Sequence, residues 1–248
     1  MRRLNIVTTF TATLLSLSIM AQKGPSFIGV SGGISFPTGN WGKAAFISST
    51  NGFVNDPAGF ADKGGFFGVD GAWFFSKHFG IGGLFRYGTY KTKGLDVLSA
   101  GYQDSFDVDQ VETAANSWKM WSAMPGLYYD QRIWKKLSFT ARALAGVTHA
   151  TTPTISVDVT DSDIDDGTFT QQSASKTAFG FDGGIGLSYP VIKCLSVRLQ
   201  GDYFYSKPDF MIQNSARDNA AGRLVNEYNQ ALAGFNVSLG VSYTLGGK

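Results

Sequence analysis

The sequence predicts an all-β fold, an eight-stranded antiparallel transmembrane β-barrel with short periplasmic turns and long extracellular loops. Three observations predict it: the composition, eight segments in which apolar and polar residues alternate, and connections that alternate in length. Glycine supplies 31 of the 248 residues and aromatic residues make up 14%, whereas glycine ordinarily supplies about 7%. Beyond residue 21, no apolar stretch reaches the about 20 residues that a membrane-spanning helix needs.

Residues 1–21 are predicted to form a secretory signal peptide. Arg2 and Arg3 precede a short apolar run over residues 6–20, and the small residue Ala21 follows it. A basic start, a short apolar run and a small residue at the cut are typical of such peptides, although Ile19 departs from the small residue usual three positions before the cut. The chain is therefore expected to divide into a signal peptide, 1–21, and an outer-membrane β-barrel domain, 22–248, that begins at Gln22.

Charge and cysteine content exclude several classes of protein. The full chain carries 21 basic and 19 acidic residues, and removing Arg2 and Arg3 with the signal peptide leaves 19 of each. A neutral mature chain gives no support for a nucleic-acid partner. Because Cys194 is the single cysteine, neither an internal disulfide nor a cysteine-rich metal site can form.

Alternation of apolar and polar residues defines the predicted strands. Between residues 178 and 189, for example, Phe179, Phe181 and Ile185 alternate with Gly180 and Asp182, as in a strand with one face toward lipid and one toward a lumen. In the fourth segment Pro125 lacks the N–H of a ladder residue and predicts a bulge. The eight predicted strands span residues 27–36, 66–75, 80–90, 118–129, 137–148, 178–189, 195–205 and 235–245.

Connection lengths alternate along the chain. Links over residues 76–79, 130–136 and 190–194 are short, whereas the four links over 37–65, 91–116, 149–176 and 206–230 are long. Bacterial outer-membrane barrels show this pattern, with short periplasmic turns and longer extracellular loops. A soluble sandwich or lipocalin-like barrel would place its apolar face inside and gives no reason for loop length to differ between its ends.

Aromatic residues cluster near both predicted ends of the strands. Tyrosine and tryptophan prefer the headgroup level of a membrane, so a barrel should carry an aromatic belt at each interface. The predicted interfacial aromatics are Trp73, Phe75, Trp118, Trp121, Tyr129, Trp134, Tyr189, Tyr203, Tyr205 and Tyr243.

Several stretches resemble the outer-membrane β-barrel domain family, which is akin to the OmpA and OmpX barrels. FIGVSGGISFPTGNW over residues 27–41 resembles its first strand and Pro-x-Gly-x-aromatic turn, and residues 74–82 and 126–146 are similar to its turns and middle strands. The resemblance implies eight strands and outer-membrane insertion, with lipid, lipopolysaccharide and the barrel-assembly machinery as partners, and it implies no catalytic residue or cofactor. Such barrels often end on an aromatic residue, whereas this chain ends Leu-Gly-Gly-Lys. Either Tyr243 serves as the terminal recognition residue or assembly is less typical.

Six charged residues take inward positions in the predicted strands and converge near mid-barrel height. A barrel of eight strands has an interior filled by side chains, which disfavours a general porin. An unpaired charge there is costly, so we predict that three arginines and three aspartates pair into a lumen network; independent hydration of each charge is the alternative. The residues are Asp70, Arg86, Arg142, Asp182, Arg198 and Asp202.

Two of the long loops contain further candidate features. In the third loop, alternate aspartates before Gly167 resemble a calcium loop but lack its glycine and glutamate positions, so at most a weak divalent-cation site is expected at Asp161, Asp163, Asp165 and Asp166. In the fourth loop, the spacing predicts a short helix with one apolar face, formed by Leu224, Val225, Tyr228 and Leu232.

These observations favour a structural or loop-mediated interaction role, with adhesion to an extracellular partner as one form of it. The alternative is a barrel enzyme that acts on lipid or peptide at the extracellular rim, where histidine would serve with serine or acidic partners. The chain has two histidines, His78 in a predicted turn and His149 on the outward face of the fifth strand. It shows no nucleophile elbow, metal-spaced histidine pair or phosphate loop, so no enzyme activity, cofactor or metal is predicted.

Overall fold

A computed structural model describes residues 26–46, 53–160, 167–215 and 224–245. It contains one helix, α1 (Leu95–Phe106), within these ranges. The strands in chain order are β1 (Ser26–Thr38), β2 (Phe53–Asn55), β3 (Ala61–Phe74), β4 (Phe79–Thr92), β5 (Gln110–Ala115), β6 (Trp118–Trp134), β7 (Leu137–Thr151), β8 (Ile155–Thr160), β9 (Gly167–Gln171), β10 (Ser175–Ile192), β11 (Leu195–Ser206), β12 (Asp209–Ser215), β13 (Leu224–Asn229) and β14 (Leu232–Leu245).

Eight of the described strands close into an antiparallel barrel in the order β1-β14-β11-β10-β7-β6-β4-β3. The first and last strands complete the ring, with Ser26 opposite Leu245 and Thr38 opposite Ala233. Closure pairs the two strands that would otherwise be sheet edges, which a membrane requires because lipid cannot satisfy backbone N–H and C=O groups. The predicted eight-stranded barrel is confirmed, and Phe75 alone falls outside the strand predicted to contain it.

The predicted bulge at Pro125 is wrong. Pro125 lies opposite Gly83 of β4 in an unbroken register, and the β6–β7 register is the same on both sides of it, from Ala123–Val147 to Gly126–Leu144. A proline removes one N–H donor from the ladder, but this loss does not by itself insert an extra residue. The irregularity in this pair of strands lies instead beside the short turn, between Arg132 and Trp134.

The barrel's connections differ at its two ends. Short turns join β3 to β4, β6 to β7 and β10 to β11. At the other end, the long connections form a second, six-stranded sheet in the order β2-β13-β12-β9-β8-β5, which we call the loop sheet. The sequence reasoning did not predict this sheet, or the helix α1 beside it. Among the described residues, no helix is long and apolar enough to cross a membrane.

The helix predicted in the fourth loop is wrong. Leu224–Asn229 is the strand β13, which pairs with β12 and places Tyr228 opposite Phe210. Leu232 begins the barrel strand β14 instead of continuing the predicted apolar face. A segment this short is marginal as an isolated helix, whereas pairing with the neighbouring strand satisfies its backbone groups.

The barrel wall is apolar outside and polar inside. Phe181 and Ile185 are more than half exposed, whereas Asp182 between them is buried. The same alternation runs along β11, where Leu199 is exposed and Gln200 is buried. A soluble barrel would show the reverse, so the outer wall is the surface of a protein that spans a membrane.

Candidate functional site

The lumen network occupies the inside of the barrel. Each of its residues takes an inward position because it shares the parity of its strand's other buried residues: Asp70 on β3, Arg86 on β4 and Arg142 on β7. Asp182 on β10 and the β11 pair Arg198 and Asp202 complete it. All six side chains are buried, the most exposed at 7%.

The structure brings the six charges into contact. Arg86 donates through Nη1 to Asp182 Oδ2 at 2.6 Å and through Nη2 to Asp202 Oδ2 at 2.9 Å. Arg198 donates to both carboxylate oxygens of Asp70, from Nη1 to Oδ1 and from Nη2 to Oδ2, each at 2.8 Å. A two-pronged contact of this kind fixes the orientation of both groups as well as their distance.

Arg142 lies between these two groups. It contacts Asp202 Oδ1 at 2.7 Å, Asp182 Oδ1 at 3.4 Å and Asp70 Oδ2 at 3.5 Å. The contact with Asp70 links the Arg198–Asp70 pair to the rest of the network. Three positive and three negative charges therefore balance inside the barrel, where an unbalanced charge would be strongly unfavourable.

Arg86 and Arg198 each pack against a phenylalanine ring. The guanidinium carbon of Arg86 lies 4.9 Å from the centre of the Phe66 ring, and that of Arg198 lies 4.4 Å from the Phe27 ring. Both distances are within the range of a cation–π contact. Each ring therefore offers a buried guanidinium group a favourable electrostatic face.

An aromatic cap closes the lumen beneath the long loops. We define it as Trp41, Tyr90, Trp118 and Phe204, all buried. The Trp41 ring lies 4.7 Å from Tyr90, 6.0 Å from Trp118 and 5.9 Å from Phe204, always edge to face. Trp118 Nε1 also donates to the carbonyl of Gly59 at 3.0 Å, which ties the cap to the first loop.

The prediction of Trp118 as an interfacial aromatic is wrong. Trp118 shares even parity with Met120 and Met124, whose side chains are buried inside the barrel. Its closeness to the end of the strand suggested a belt position, but parity alone could have placed it inside. Trp121, of opposite parity, is half-buried and stacks on His149.

The remaining predicted belt residues lie on the outward face near the strand ends. Tryptophan and tyrosine at these positions suit the two membrane interfaces. Those near the short turns are Trp73, Phe75, Tyr129, Trp134, Tyr189 and Tyr243, and those near the long loops are Trp121, Tyr203 and Tyr205.

A second apolar cluster begins near the short turns and extends along the inner wall to the level of the lumen network. The Phe27 ring contacts Phe74 at 6.5 Å and Tyr128 at 6.0 Å. From there, buried apolar side chains continue along the inner wall through Leu84 to Leu144. Apolar packing therefore flanks the lumen network toward both ends of the barrel.

The loop sheet rests directly on the aromatic cap. Phe210 and Ile212 of β12 point into the same buried cluster as Trp41 and Trp118, and the Phe210 ring lies 5.9 Å from that of Trp118. Tyr228 of β13 packs against this cluster, and burial raises the pKa of its phenol well above the usual value. The sheet is thus joined to the barrel by a common apolar core.

Asp56 ties the first long loop to the fourth. Its carboxylate accepts hydrogen bonds from Asn40 Nδ2 at 2.9 Å, Gln230 Nε2 at 3.2 Å and the Ala231 amide at 2.8 Å. Asp56 holds a left-handed backbone conformation, with φ of 51°, which is unfavourable for a residue with a side chain. These contacts hold loops that are 175 residues apart in sequence.

The candidate cation loop lies outside the described residues, since Asp161, Asp163, Asp165 and Asp166 fall within 161–166. The flanking strands β8 and β9 form a hairpin with Val159 opposite Gly167. The weak cation site therefore stays a prediction. In the part of the chain that the structure describes, no group of three or more histidine, cysteine or acidic residues is arranged to hold a metal.

The two histidines lie at opposite ends of the barrel. His78 Nδ1 is 2.9 Å from the Asp130 carbonyl beside a short turn. His149 Nδ1 is 2.9 Å from Thr177 Oγ1 on the outer wall near the long loops. The structure therefore does not bring them together in one site.

A shallow apolar depression of about 460 Å³ lies on the lipid-facing wall near Gly71, Gly83 and Pro125.

Comparisons with known proteins find similarity in solved structures only. No family model matches the chain, and no curated protein matches it. Neisserial surface protein A shares 14% identity over 90% of this chain and 99% of its own, with a TM-score of 0.46. Ail, the attachment invasion locus protein of Yersinia pestis, shares 15% identity over 90% of this chain and 100% of its own, with a TM-score of 0.44.

The outer membrane protease OmpT from Escherichia coli shares 9% identity over 91% of this chain and 98% of its own, with a TM-score of 0.47. Similarity this low carries no information about activity or partners. The class of the molecule follows from its own geometry: a closed antiparallel barrel, an apolar outer wall, and short turns opposite long loops. These features characterise bacterial outer-membrane barrels, and the chain is a small integral barrel of the cell outer membrane.

Proposed function

We propose that this barrel is a closed membrane anchor that displays its loop sheet to a partner outside the cell. The observation that carries the proposal is the loop sheet itself, in which strands from all four long connections join in one hydrogen-bonded sheet. Loops that served only to link barrel strands would not need this order. A folded surface on a rigid base suits binding, because little further ordering is required when a partner docks.

The exposed surface of the loop sheet supports this role. Met211 of β12 is 60% exposed and Phe169 of β9 is 45% exposed, although both lie in ordered strands. Large apolar side chains are enriched at the centres of protein interfaces. Acidic side chains accompany Met211, since Glu227 lies opposite it and Asp209 shares its face of β12. Phe169 lies on the other face of the loop sheet, because Gln171 of its strand pairs with Asn214. The proposed partner surface at Met211 therefore combines apolar contacts with basic or cation-bridged ones.

The closed lumen supports an anchoring role over transport. The lumen network and the aromatic cap lie in series along the barrel, and both would have to rearrange before a solute could pass. In the membrane, the outer wall would contact lipid and lipopolysaccharide, and insertion would depend on the barrel-assembly machinery. No nucleic-acid partner is proposed.

Whole-cell adhesion tests the display role. Cells expressing the wild-type chain are compared with cells in which residues 155–171, the β8–β9 hairpin, are replaced by a short glycine-serine linker. The probes are plates coated with mucin, with basement-membrane extract, and with a layer of the same cells. We expect the wild-type chain to increase adhesion to at least one surface and the hairpin variant to lose that increase.

Two controls make the comparison specific. Heat-modified migration on gels should show that both barrels are folded, and surface labelling of Lys43 and Lys207 should show equal display. A second variant, Lys77→Gln in a short turn, should adhere like the wild type. Adhesion that is equal with and without the hairpin, or absent with every surface, would overturn the display role.

A further inference from the structure

The side of the barrel that carries the short turns is strongly basic. Among the described residues it presents five basic side chains, all exposed, and one acidic residue, Asp130, which is half-buried. In the part of the chain that the structure describes, none of the five forms an ion pair with a carboxylate. We call these five residues the basic arc: Lys77, Arg132, Lys135, Lys136 and Lys193.

The barrel topology places the basic arc on one continuous stretch of the rim. Its residues belong to the β3–β4, β6–β7 and β10–β11 hairpins. These hairpins are neighbours, because β4 pairs with β6 and β7 pairs with β10. The three hairpins include six of the eight barrel strands, so the basic arc extends around most of the rim and leaves out only the sector formed by β1 and β14.

Exposed apolar side chains accompany the basic arc. Ile133 and Trp134 stand beside Lys135, and Val191 and Ile192 stand beside Lys193, each more than half exposed. Lys135 Nζ lies 5.8 Å from the Trp134 ring. A rim exposed only to water would have no use for four such side chains, whereas apolar and aromatic groups beside lysines suit the boundary between headgroups and acyl chains.

Charge is also distributed unequally between the two ends of the barrel. The lumen network is balanced within itself, and the mature chain is formally neutral. The long-loop side, however, carries more acidic than basic residues among those described, including Asp96, Asp104, Asp109 and Glu112. The rim is therefore positive because basic residues are concentrated at the short turns, and its charge does not reflect an overall basic composition.

We propose that the basic arc binds the headgroups of anionic phospholipids in the periplasmic leaflet of the membrane. Clustered lysine and arginine at a membrane surface attract anionic headgroups, and the flanking apolar side chains hold the rim at headgroup depth. The inference rests on the orientation used in the proposed function, with short turns in the periplasm. It adds a lipid class and the residues that select it.

Lipid selectivity measured by electron paramagnetic resonance tests this inference. Refolded wild-type protein is reconstituted in phosphatidylcholine vesicles that contain phosphatidylglycerol, with a spin label on the chains of one lipid or the other. We expect the fraction of immobilised phosphatidylglycerol to exceed that of phosphatidylcholine by about threefold at low salt. The ratio should fall toward one in 1 M salt, where charge interactions are screened within about 3 Å.

Two matched variants locate the selectivity. Changing the five arc residues to glutamine should remove it, whereas changing five exposed lysines on the long-loop side should leave most of it. The control substitutions are Lys43→Gln, Lys63→Gln, Lys91→Gln, Lys119→Gln and Lys176→Gln. If the arc variant does not refold, the single changes Lys135→Gln and Lys193→Gln should each lower the ratio in part.

The outcomes separate this inference from the proposed membrane placement. Faster migration of unboiled protein on gels establishes insertion for each sample. Inserted wild-type protein that binds both lipids equally would overturn the basic arc as a lipid site and leave the barrel placement intact. Selectivity that persists in the arc variant and disappears in the control would assign anionic lipid to the other rim, and would equally overturn it.

Discussion

Arg142 joins the two halves of the lumen network. It contacts the Asp70 carboxylate, which is paired with Arg198, and the carboxylates of Asp182 and Asp202, which are both paired with Arg86. Removing it leaves three aspartates facing two arginines in a buried interior. The loss of one partner from a buried ion pair is far more harmful than replacement of the whole pair, because the remaining charge has lost both water and its counter-ion.

Asp182→Ala combined with Arg86→Ala or with Arg142→Ala should show which pairs are coupled. Each single change should lower the free energy of unfolding by on the order of 3–5 kcal/mol. The interaction energy should be larger with Arg86, at 2.6 Å, than with Arg142, at 3.4 Å. Urea unfolding of the refolded barrel measures both cycles, and additive effects in both would show that the charges do not pair.

Adjacent glycines in β10 offer a matched test of packing around the network. A Cβ at Gly184 would lie 2.1 Å from Asp202 Oδ1, whereas a Cβ at Gly183 meets nothing within 4 Å. Gly184→Ala should therefore displace the Asp202 carboxylate from Arg142 and destabilise the barrel by about 1–3 kcal/mol. Gly183→Ala should be close to neutral in the same urea titration, and equal effects would contradict this account.

At the scale of elements, the aromatic cap connects the barrel to the loop sheet. Trp41 is fully buried and contacts side chains from three barrel strands, β4, β6 and β11. The cluster also contains Phe210 and Ile212 from the loop sheet. The position of the sheet therefore depends on core packing as well as on the hydrogen bonds to Asp56.

Trp41→Ala should destabilise the loop sheet more than the barrel. Truncation of a buried tryptophan costs about 3–5 kcal/mol. The lost ring contacts join the first long connection to the barrel strands beneath the loop sheet. Limited trypsin digestion should cut after Lys43 and Lys93 much faster than in the wild type, while the heat-modified gel shift remains. Trp134→Ala, at an exposed position, is the control, and equal digestion of both variants would count against the cap.

At the scale of the whole molecule, the barrel is a membrane-spanning shell whose interior is occupied by side chains. A barrel of eight strands is just wide enough for side chains to fill. Balanced charge in the middle and apolar packing toward each end give the interior a layered order. The loop sheet then adds a second folded layer that the barrel strands alone do not require.

This layering predicts the electrical behaviour of the protein. Wild-type protein in a planar lipid bilayer should show no sustained open-channel current. The double change Trp41→Ala with Arg142→Ala should introduce a leak, because it opens the aromatic cap and the centre of the lumen network together. A steady current through the wild-type barrel would show that the lumen is open to ions.

The proposed processing of the chain concerns residues outside the described ranges. We expect protein purified from the membrane fraction to begin at Gln22, because the basic start and short apolar run of residues 2–20 are typical of a cleaved signal peptide. N-terminal sequencing measures this directly. A sequence that begins at Met1 would show that the segment is retained.

The sequence by itself determined the barrel strands and the face on which most of their side chains lie. Alternation with a period of two is a local property of each strand. Because the outer wall faces lipid and the lumen is polar, the sequence shows this alternation directly, as in Phe181 and Asp182. Parity therefore sufficed to place all six lumen charges inside the barrel. The same parity places Trp118 inside the barrel, although its position near the end of the strand predicts an interfacial side chain.

Tertiary structure decided which charges meet and what the long loops become. Arg198 and Asp70 are 128 residues apart in sequence, and their contact depends on how strands are staggered around the closed ring. The loop sheet likewise pairs β2 with β13, from the first and fourth connections. Pairing between distant segments depends on register and on the direction in which neighbouring strands leave the barrel, and neither is encoded in the pattern of any single segment.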